Sequence, residues 1–312
     1  MRENPKRSAE CGVRSAESKF RIPNSAFRTS KGLRTLRVGH TPDMDDAFMF
    51  YAIAKQLIPM DGIQIEHVIE DIQTLNQLAL EGELAMTAVS AAGYPAVASR
   101  YRIAAVGSSV GRGYGPLVIS TRPCEPGDLR GRRVAVPGLQ TTACLLLRLA
   151  VPEIIPVEMP FHEIPNAVLQ GQVEAGLVIH EWQLTYRDAG LLPILDLGTW
   201  WQQQTKLPLP LGLNVVKAAL GRRLAARVVT ILRDSILYAL AHQEEALAYA
   251  MQYGRGTDAA RSRQFIGMYV NEESLTITKP CREALRLLFD RGHQAGLIPR
   301  VPRLSIIEPI KF

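Results

Sequence analysis

The residue of this sequence best placed for chemistry is a histidine at the end of a short apolar run. The segment Leu177–Ile179, preceded by Gly176, is typical of a parallel strand buried on both faces, and His180 follows it directly. Ligands of open α/β sheets bind beyond the carboxyl ends of the strands. Because an imidazole exchanges protons near neutral pH, His180 is a candidate general base. Position alone leaves open the alternative of a structural histidine that is hydrogen-bonded at the strand end.

Hydroxyl residues stand at three other boundaries of predicted elements. Thr141 and Thr142 follow a strand and a Pro-Gly turn and begin a helix, whose first amides have no intrahelical acceptor. Such amides bind a carboxylate or phosphate, but capping by threonine uses the same groups, and the sequence does not choose between the two. Ser90 follows a predicted strand, and Thr41 lies in the turn after the first strand.

An acidic turn precedes the first predicted helix. It reads His40-Thr-Pro-Asp-Met-Asp-Asp46, and the helix is expected to begin at Asp45 and Asp46. Aspartates at a helix start cap amides and suit the positive end of the helix dipole. A divalent-metal cluster is the alternative, and capping is the preferred interpretation because it explains the same residues.

The charge of the chain is concentrated at its N-terminus. The 312 residues have a formal net charge of +6, but residues 1–37 hold ten Lys and Arg against three Glu, which leaves 26 basic and 27 acidic residues in the remainder. The remainder is therefore nearly neutral, and no nucleic-acid footprint is indicated for it. With 47% hydrophobic residues the chain can bury a large core and is expected to divide into two lobes.

The spacing of the cysteines and the length of the apolar segments indicate the cellular compartment of the protein. The four cysteines are far apart and contain no CxxC pair, which favours reduced thiols over a disulfide or zinc framework. No apolar segment approaches the roughly 18–20 residues of a membrane span, and no secretion signal is recognised at the N-terminus. We expect a cytoplasmic protein that binds neither membrane nor nucleic acid, and a homodimer is left open.

The order of the predicted elements indicates an α/β protein with two lobes and a cleft between them. Residues 1–36 show no apolar periodicity and are predicted to be a disordered extension. The first lobe is predicted over residues 37–118 and 214–312 and the second over residues 119–213, with strands Leu117–Ser120 and Leu213–Val216 linking them. The last part of the first lobe has helical periodicity, over Arg222–Tyr253, Asp258–Met268 and Lys279–Gln294. The pair Trp200-Trp201 is placed in a loop, where it would cover the core.

Five segments in this order resemble the 1,4-dihydroxy-6-naphthoate synthase family of the futalosine route to menaquinone. They are GHTPDMDDAFMFYAI at 39–53, EDIQTLNQLALEGE at 70–83, VAVPGLQTTACLLLRL at 134–149, EAGLVIHEWQLTY at 174–186 and DLGTWWQQQTKLPLPLGLN at 196–214. The resemblance implies a fold like that of type 2 periplasmic binding proteins. It also implies a cofactor-free lyase that cleaves cyclic dehypoxanthinylfutalosine to 1,4-dihydroxy-6-naphthoate and dihydroxyacetone.

The resemblance also implies roles for particular residues. The family's proton acceptor falls on His180, and its carboxylate-binding motif falls on Thr141, Thr142 and Ala143, so that we expect backbone amides and the Thr142 hydroxyl to hold the substrate. A further substrate-binding segment falls on Ala88, Val89 and Ser90, where Ala88 replaces the family's usual lysine. The usual S-P-C-P-N-D reads Thr41-Pro42-Asp43-Met44-Asp45-Asp46 here. Glu181 is expected to serve packing, because neighbouring strand residues point to opposite faces.

Two other functions compete with the lyase. A solute-binding protein or sensor could use the same cleft for a small carboxylate without catalysis. The second competitor is chorismate dehydratase, a related branch of the same fold, but the IHE and LGTWW segments resemble the synthase instead. We therefore expect an enzyme acting on a small carboxylate, with no metal or organic cofactor.

Overall fold

The computed structural model describes residues 29–30, 33–254 and 257–310, and these form two β-sheets with helices packed around them. Most of the predicted N-terminal extension lies outside the described residues. The first strand is longer than predicted, because it starts at Leu33 rather than Leu36 and carries a short antiparallel partner, Thr29–Ser30. The predicted boundary of the extension at residue 36 is therefore too late.

The first sheet is mixed and has eight strands. Its order is β1-β2-β4-β12-β5-β13, with β3 paired to β2 and β6 paired to β12. The strands β2, β3 and β4 are parallel, as expected for βα units, whereas β12 runs antiparallel to β4 and β5. Their bounds are β1 Thr29–Ser30, β2 Leu33–His40, β3 Ile63–Ile69, β4 Met86–Ser90, β5 Tyr101–Ala104, β6 Ser109–Gly111, β12 Leu209–Lys217 and β13 Ile306–Ile307.

The second sheet has five strands in the order β11-β7-β10-β8-β9. The strand that precedes His180, β10, lies in its centre, parallel to β8 and antiparallel to β7. All four residues of β10 are buried, as its apolar sequence predicts. The bounds are β7 Leu117–Ser120, β8 Arg133–Val136, β9 Ile155–Glu158, β10 Ala175–Val178 and β11 Leu192–Asp196.

We call each sheet with its helices a lobe. The helices of the first lobe are α1 Met44–Ala54, α2 Ile72–Glu81, α3 Tyr94–Val97, α8 Gly221–Ala241, α9 Gln243–Ala250, α10 Ala259–Tyr269, α11 Glu272–Leu275 and α12 Lys279–Gln294. Those of the second lobe are α4 Thr142–Ala150, α5 Ile164–Leu169, α6 Trp182–Thr185 and α7 Leu197–Thr205. One large apolar cluster includes side chains of α4, α12 and both sheets, so the lobes share part of their core.

The strands predicted to link the lobes each belong to one sheet, which corrects the expected boundaries. Strand β7 lies wholly in the second sheet and β12 wholly in the first. The chain instead crosses to the second sheet between Gly111 and Leu117 and returns between Thr205 and Leu209. The glycine-dense segment before β7 is thus one of the two crossings.

Two helical predictions are also wrong in detail. The expected helix Arg222–Tyr253 is divided into α8 and α9 at His242, which leaves the helical conformation with φ −124° and ψ 54° and stacks its ring on Tyr238. The tryptophan pair lies in a helix, α7, because Asp196 caps the amides of Gly198 and Thr199. Its expected role is confirmed for Trp201, which is fully buried and donates its indole N–H to the Pro208 carbonyl at 3.0 Å.

Candidate functional site

The two lobes line a cleft with a cavity volume of about 110 Å³. Seven of the eight predicted site residues line it: Thr41, Ala88, Ser90, Thr141, Thr142, Ala143 and His180. Val89 does not, since its side chain points to the opposite face of β4 and is 1% exposed within the core. Of the described residues that line the cleft, none is Lys or Arg.

His180 enters the cleft from the second lobe, two residues beyond the end of β10. Its backbone has φ +55°, a left-handed conformation that non-glycine residues seldom adopt and that often marks a functional turn. The side chain is 18% exposed, and the edge of its ring packs against Phe161, with ring centroids 4.9 Å apart. Its Nδ1 lies 3.3 Å from Oδ2 of Asp43. The imidazole is therefore accessible from the cleft but held on two sides.

The acidic turn supplies three carboxylates to the cleft, and they do not act as the predicted helix caps. Asp43 occupies the N-cap position of α1 but makes no capping hydrogen bond through its side chain. The Asp46 carboxylate accepts hydrogen bonds from the Thr41 amide at 2.8 Å and the Thr41 hydroxyl at 2.9 Å. Asp45 accepts from the Ser109 hydroxyl at 2.9 Å. Within the described residues no group of three or more His, Cys, Asp or Glu is arranged to hold a metal ion.

Crowding of buried carboxylates changes their protonation. Burial, with repulsion from Asp43, raises the pKa of Asp45 to about 6, although the nearby His180 and the Ser109 hydrogen bond oppose this. Burial, with repulsion from Asp45, raises the pKa of Asp46 to about 8. Desolvation disfavours the charged form and hydrogen bonds from Thr41 recover only part of that cost. The turn thus retains a proton near neutral pH, and Asp46 is the residue that carries it.

The start of α4 offers backbone donors but not the expected hydroxyl. Thr141 is the N-cap, since its hydroxyl accepts from the Cys144 amide at 3.2 Å and donates to the Gly138 carbonyl at 2.7 Å. The Thr142 hydroxyl donates to the Leu211 carbonyl at 2.7 Å. Both hydroxyl protons are therefore used within the protein, so the predicted contact between the Thr142 hydroxyl and the substrate would have to replace the bond to Leu211. In the described part of the chain, the amides of Thr142 and Ala143 have no protein acceptor.

Ser90 is the side-chain hydroxyl donor that remains. The Asn76 amide donates to its Oγ at 3.2 Å and accepts from its backbone N–H at 2.9 Å. With its oxygen already accepting, and no acceptor for its proton within the described residues, the Ser90 hydroxyl can donate to a ligand. The neighbouring Ala88 contributes only a methyl group to the wall.

Several cleft residues were not identified from the sequence, and they come from distant segments. Gln183 lies one turn after His180. Its side-chain amide nitrogen donates to the Gly115 carbonyl and to the Tyr269 hydroxyl, each at 2.7 Å. Its side-chain oxygen accepts a hydrogen bond from the His180 backbone N–H at 3.2 Å. Burial strongly raises the pKa of Tyr269, so its phenol is neutral. Asn214 also lines the cleft, with its amide nitrogen bonded to the Gly107 carbonyl at 2.8 Å. Gln183 and Asn214 both lie inside segments that carry the family resemblance, so sequence reasoning could have found these two, whereas Tyr269 lies outside them.

The fold defines a class of protein. Two α/β lobes, joined by two crossings around a ligand-sized cleft, form the architecture of type 2 periplasmic binding proteins. The alkanesulfonate-binding protein SsuA from Xanthomonas axonopodis aligns over 88% of this chain and 98% of its own with a TM-score of 0.67, at 13% identity. The aliphatic sulphonate-binding protein SsuA from Escherichia coli gives a TM-score of 0.63 over 89% of this chain and 93% of its own, at 14% identity. At such identities these likenesses concern the fold.

Sequence comparison then gives the family. The menaquinone biosynthesis family profile matches residues 36–294, and the chain belongs to this family. A 1,4-dihydroxy-6-naphthoate synthase from Thermus thermophilus is 40% identical over 271 residues, which are 87% of this chain and 98% of that protein. One from Streptomyces coelicolor is 38% identical, over 85% of this chain and 95% of its own. A crystal structure of a protein from Archaeoglobus fulgidus, at 47% identity, has a TM-score of 0.82 over 85% of this chain and 98% of its own.

Proposed function

We propose that this protein is a 1,4-dihydroxy-6-naphthoate synthase, a carbon–carbon lyase that converts cyclic dehypoxanthinylfutalosine to 1,4-dihydroxy-6-naphthoate and dihydroxyacetone in menaquinone biosynthesis. The observation that carries the proposal is the position of His180. It lies in an enclosed cleft beyond a central strand, in a chain that shares 38–40% identity with two synthases. A solute-binding protein needs the cleft but has no use for a base there.

The substrate carboxylate binds at the start of α4. The Thr142 and Ala143 amides are the first of α4 and lie at the positive end of the helix dipole. The two N–H groups and the dipole can bind an anion without a cationic side chain. This arrangement accounts for a cleft with no Lys or Arg among its described lining residues, where Ala88 stands in place of the family's usual lysine. Amide donors fixed in a helix are already oriented, so they need no reorganisation on binding.

His180 acts as the general base. Cleavage of a carbon–carbon bond next to a carbinol requires removal of the hydroxyl proton while the bonding electrons pass to the group that becomes the aromatic ring. An imidazole is suited to the first task, and Ser90, with its hydroxyl proton available, stabilises negative charge as it develops on oxygen. Aromatisation of the product supplies much of the driving force, so the protein mainly places groups and excludes water.

The lobes provide the exclusion of water. The floor of the cleft comes from the first lobe and His180 comes from the second, so that separation of the lobes opens the site to substrate. Substrate-induced closure of this kind is common where a reaction must be shielded from solvent. We also propose a cytoplasmic location, which the free cysteines of the described residues, Cys124, Cys144 and Cys281, favour. No helix in the described ranges is both long and apolar enough to cross a membrane.

Incubation of the purified protein with cyclic dehypoxanthinylfutalosine tests the proposal. We expect stoichiometric 1,4-dihydroxy-6-naphthoate and dihydroxyacetone, measured by absorbance and mass spectrometry, without added metal or cofactor. His180→Asn serves as the matched control, because it keeps a hydrogen-bonding side chain of similar size but removes the base. Tight substrate binding with no product from the wild type would support the solute-binding alternative instead.

A further inference from the structure

We propose that Asp43 is the positioning residue of His180, and that the two are brought together only when the lobes close. The inference rests on the proposed function, because it assumes that His180 is the base. It assigns a role to a carboxylate that the sequence only placed in the acidic turn before the first helix.

The contact involves one particular ring nitrogen. Oδ2 of Asp43 lies 3.3 Å from Nδ1 of His180, and the Asp43 side chain is only 4% exposed. A carboxylate beside Nδ1 favours the tautomer in which Nδ1 carries the proton and Nε2 does not. Nε2 is then the atom that can accept a proton from the substrate. In addition, the carboxylate stabilises the imidazolium that forms when it does.

The rest of the surroundings fix the imidazole in this orientation. The edge of the ring rests on Phe161, and the His180 backbone N–H donates to Gln183, which holds the left-handed turn. Asp43 makes no capping bond to α1 through its side chain although it stands at the capping position. A capping aspartate would turn its carboxylate toward the helix amides, whereas this one lies beside the imidazole.

The pair spans the cleft. Asp43 follows β2 of the first sheet, and His180 follows β10 of the second. Two other contacts join the same edges of the lobes: Tyr269 with Gln183, and Arg261 with Asp188. Opening of the lobes would separate all three pairs. The base is therefore oriented only in the closed form, which links proton abstraction to enclosure of the substrate.

Other titratable groups line the cleft and bear on the pH dependence. They are Asp45 and Asp46 on the first turn of α1 and Tyr269 on α10, while Glu181 follows His180 in the chain. Asp45, whose pKa burial raises to about 6, interacts electrostatically with His180. For this reason the test compares the pH dependence of kcat/KM among variants at position 43 and does not rely on the pH profile of one protein.

The experiment uses the full-length protein with Asp43→Asn, which removes the charge and keeps the size, and Asp43→Glu, which keeps the charge. We expect Asp43→Asn to lower kcat by about 10- to 100-fold, the usual effect of losing a group that orients a functional side chain, with little change in KM. The acid limb of kcat/KM should move to lower pH, because protonation of the imidazole is then no longer favoured by a carboxylate. Asp43→Glu should keep the limb near its wild-type position. Asp128→Asn, the same substitution at an exposed turn, is the matched control.

Nitrogen-15 NMR of the histidine ring provides a readout independent of turnover. In wild-type protein saturated with the product 1,4-dihydroxy-6-naphthoate, the His180 signal, assigned by its loss in His180→Asn, should be that of the Nδ1-protonated tautomer. Asp43→Asn should shift it toward the Nε2-protonated form. An unchanged acid limb and tautomer in a folded Asp43→Asn protein would overturn the positioning role, even with reduced activity. Full activity of His180→Asn would instead overturn the assignment of His180 as the base, and the absence of product from the wild type would overturn the proposed function.

Discussion

The hydroxyl of Thr142 donates to the Leu211 carbonyl at 2.7 Å, which joins the start of α4 to strand β12 across the cleft. The Thr142 hydroxyl oxygen also accepts a hydrogen bond from the Ala92 backbone amide at 3.1 Å. Thr142 is 2% exposed, and both hydrogen bonds are partly buried. This residue therefore holds the frame of the site, and its backbone amide is the part that faces a ligand.

Thr142→Val should reduce stability much more than substrate binding. The substitution keeps the shape but leaves a partly buried amide and a partly buried carbonyl without their partner, which costs about 1–3 kcal/mol of unfolding free energy. KM should change little, because the carboxylate is held by backbone amides. Chemical denaturation and steady-state kinetics measure the two quantities. Thr142→Ser is the matched control and should restore most of the stability.

The opposite result has a clear meaning. If Thr142→Val raises KM strongly while the free energy of unfolding stays unchanged, the hydroxyl contacts the substrate directly. The two hydrogen bonds to Leu211 and Ala92 would then belong to the unliganded form alone.

His180→Asn should abolish most turnover while preserving the fold and the affinity for substrate. Loss of a general base lowers kcat by about 10²–10⁴-fold. The carboxylate site at α4 is on a different element and remains intact, so calorimetric titration with substrate should give nearly the wild-type dissociation constant. A variant that binds normally and turns over at the wild-type rate would remove the histidine from the mechanism.

The stability of the protein should depend on Asp46 in the direction opposite to that of most carboxylates. Burial raises its pKa from the ordinary 3.8 to about 8, so between these values the native state binds a proton that the unfolded state has released. The contribution of this group to stability therefore falls as pH rises from about 4 to about 8.

Asp46→Asn tests this pH dependence and keeps an oxygen that can accept both Thr41 hydrogen bonds. Relative to wild type, the variant should gain stability as pH rises through the same range, because it cannot acquire the buried charge. Urea denaturation at a series of pH values measures the difference. Parallel curves for the two proteins would contradict a raised pKa at this position.

Two N-terminal deletions should differ in their effect. Removal of residues 1–28 should leave melting temperature and activity unchanged, as expected for a segment without apolar periodicity. Removal of residues 1–35 also deletes the start of β2, where Arg34 and Thr35 pair with Ile63 and Gln64 of β3, and should lower the melting temperature. Differential scanning calorimetry compares the two. Equal melting temperatures would show that the first part of β2 contributes nothing.

The sequence alone predicted the fold class, and most of its predicted site residues line the cleft, because local patterns indicate both. An apolar run that ends in His180 predicts a buried strand with a histidine at its carboxyl end, and β10 has that form. Thr141 at the start of a helix predicts a cap, and its hydroxyl accepts the Cys144 amide. These features depend on neighbours within a few residues, so a single sequence contains them.

Only the tertiary structure decided which groups face one another across the cleft. Asp43 was placed in the turn before the first helix and Thr142 was predicted to be a ligand donor, but the structure places them beside His180 and Leu211, which lie far away in the chain. A hydroxyl or carboxylate can make its hydrogen bonds equally well with a neighbour in the chain or with a group from a distant segment. The residue type alone therefore does not select the partner. That choice follows from how the two sheets pack, and packing brings together segments whose relation no local pattern records.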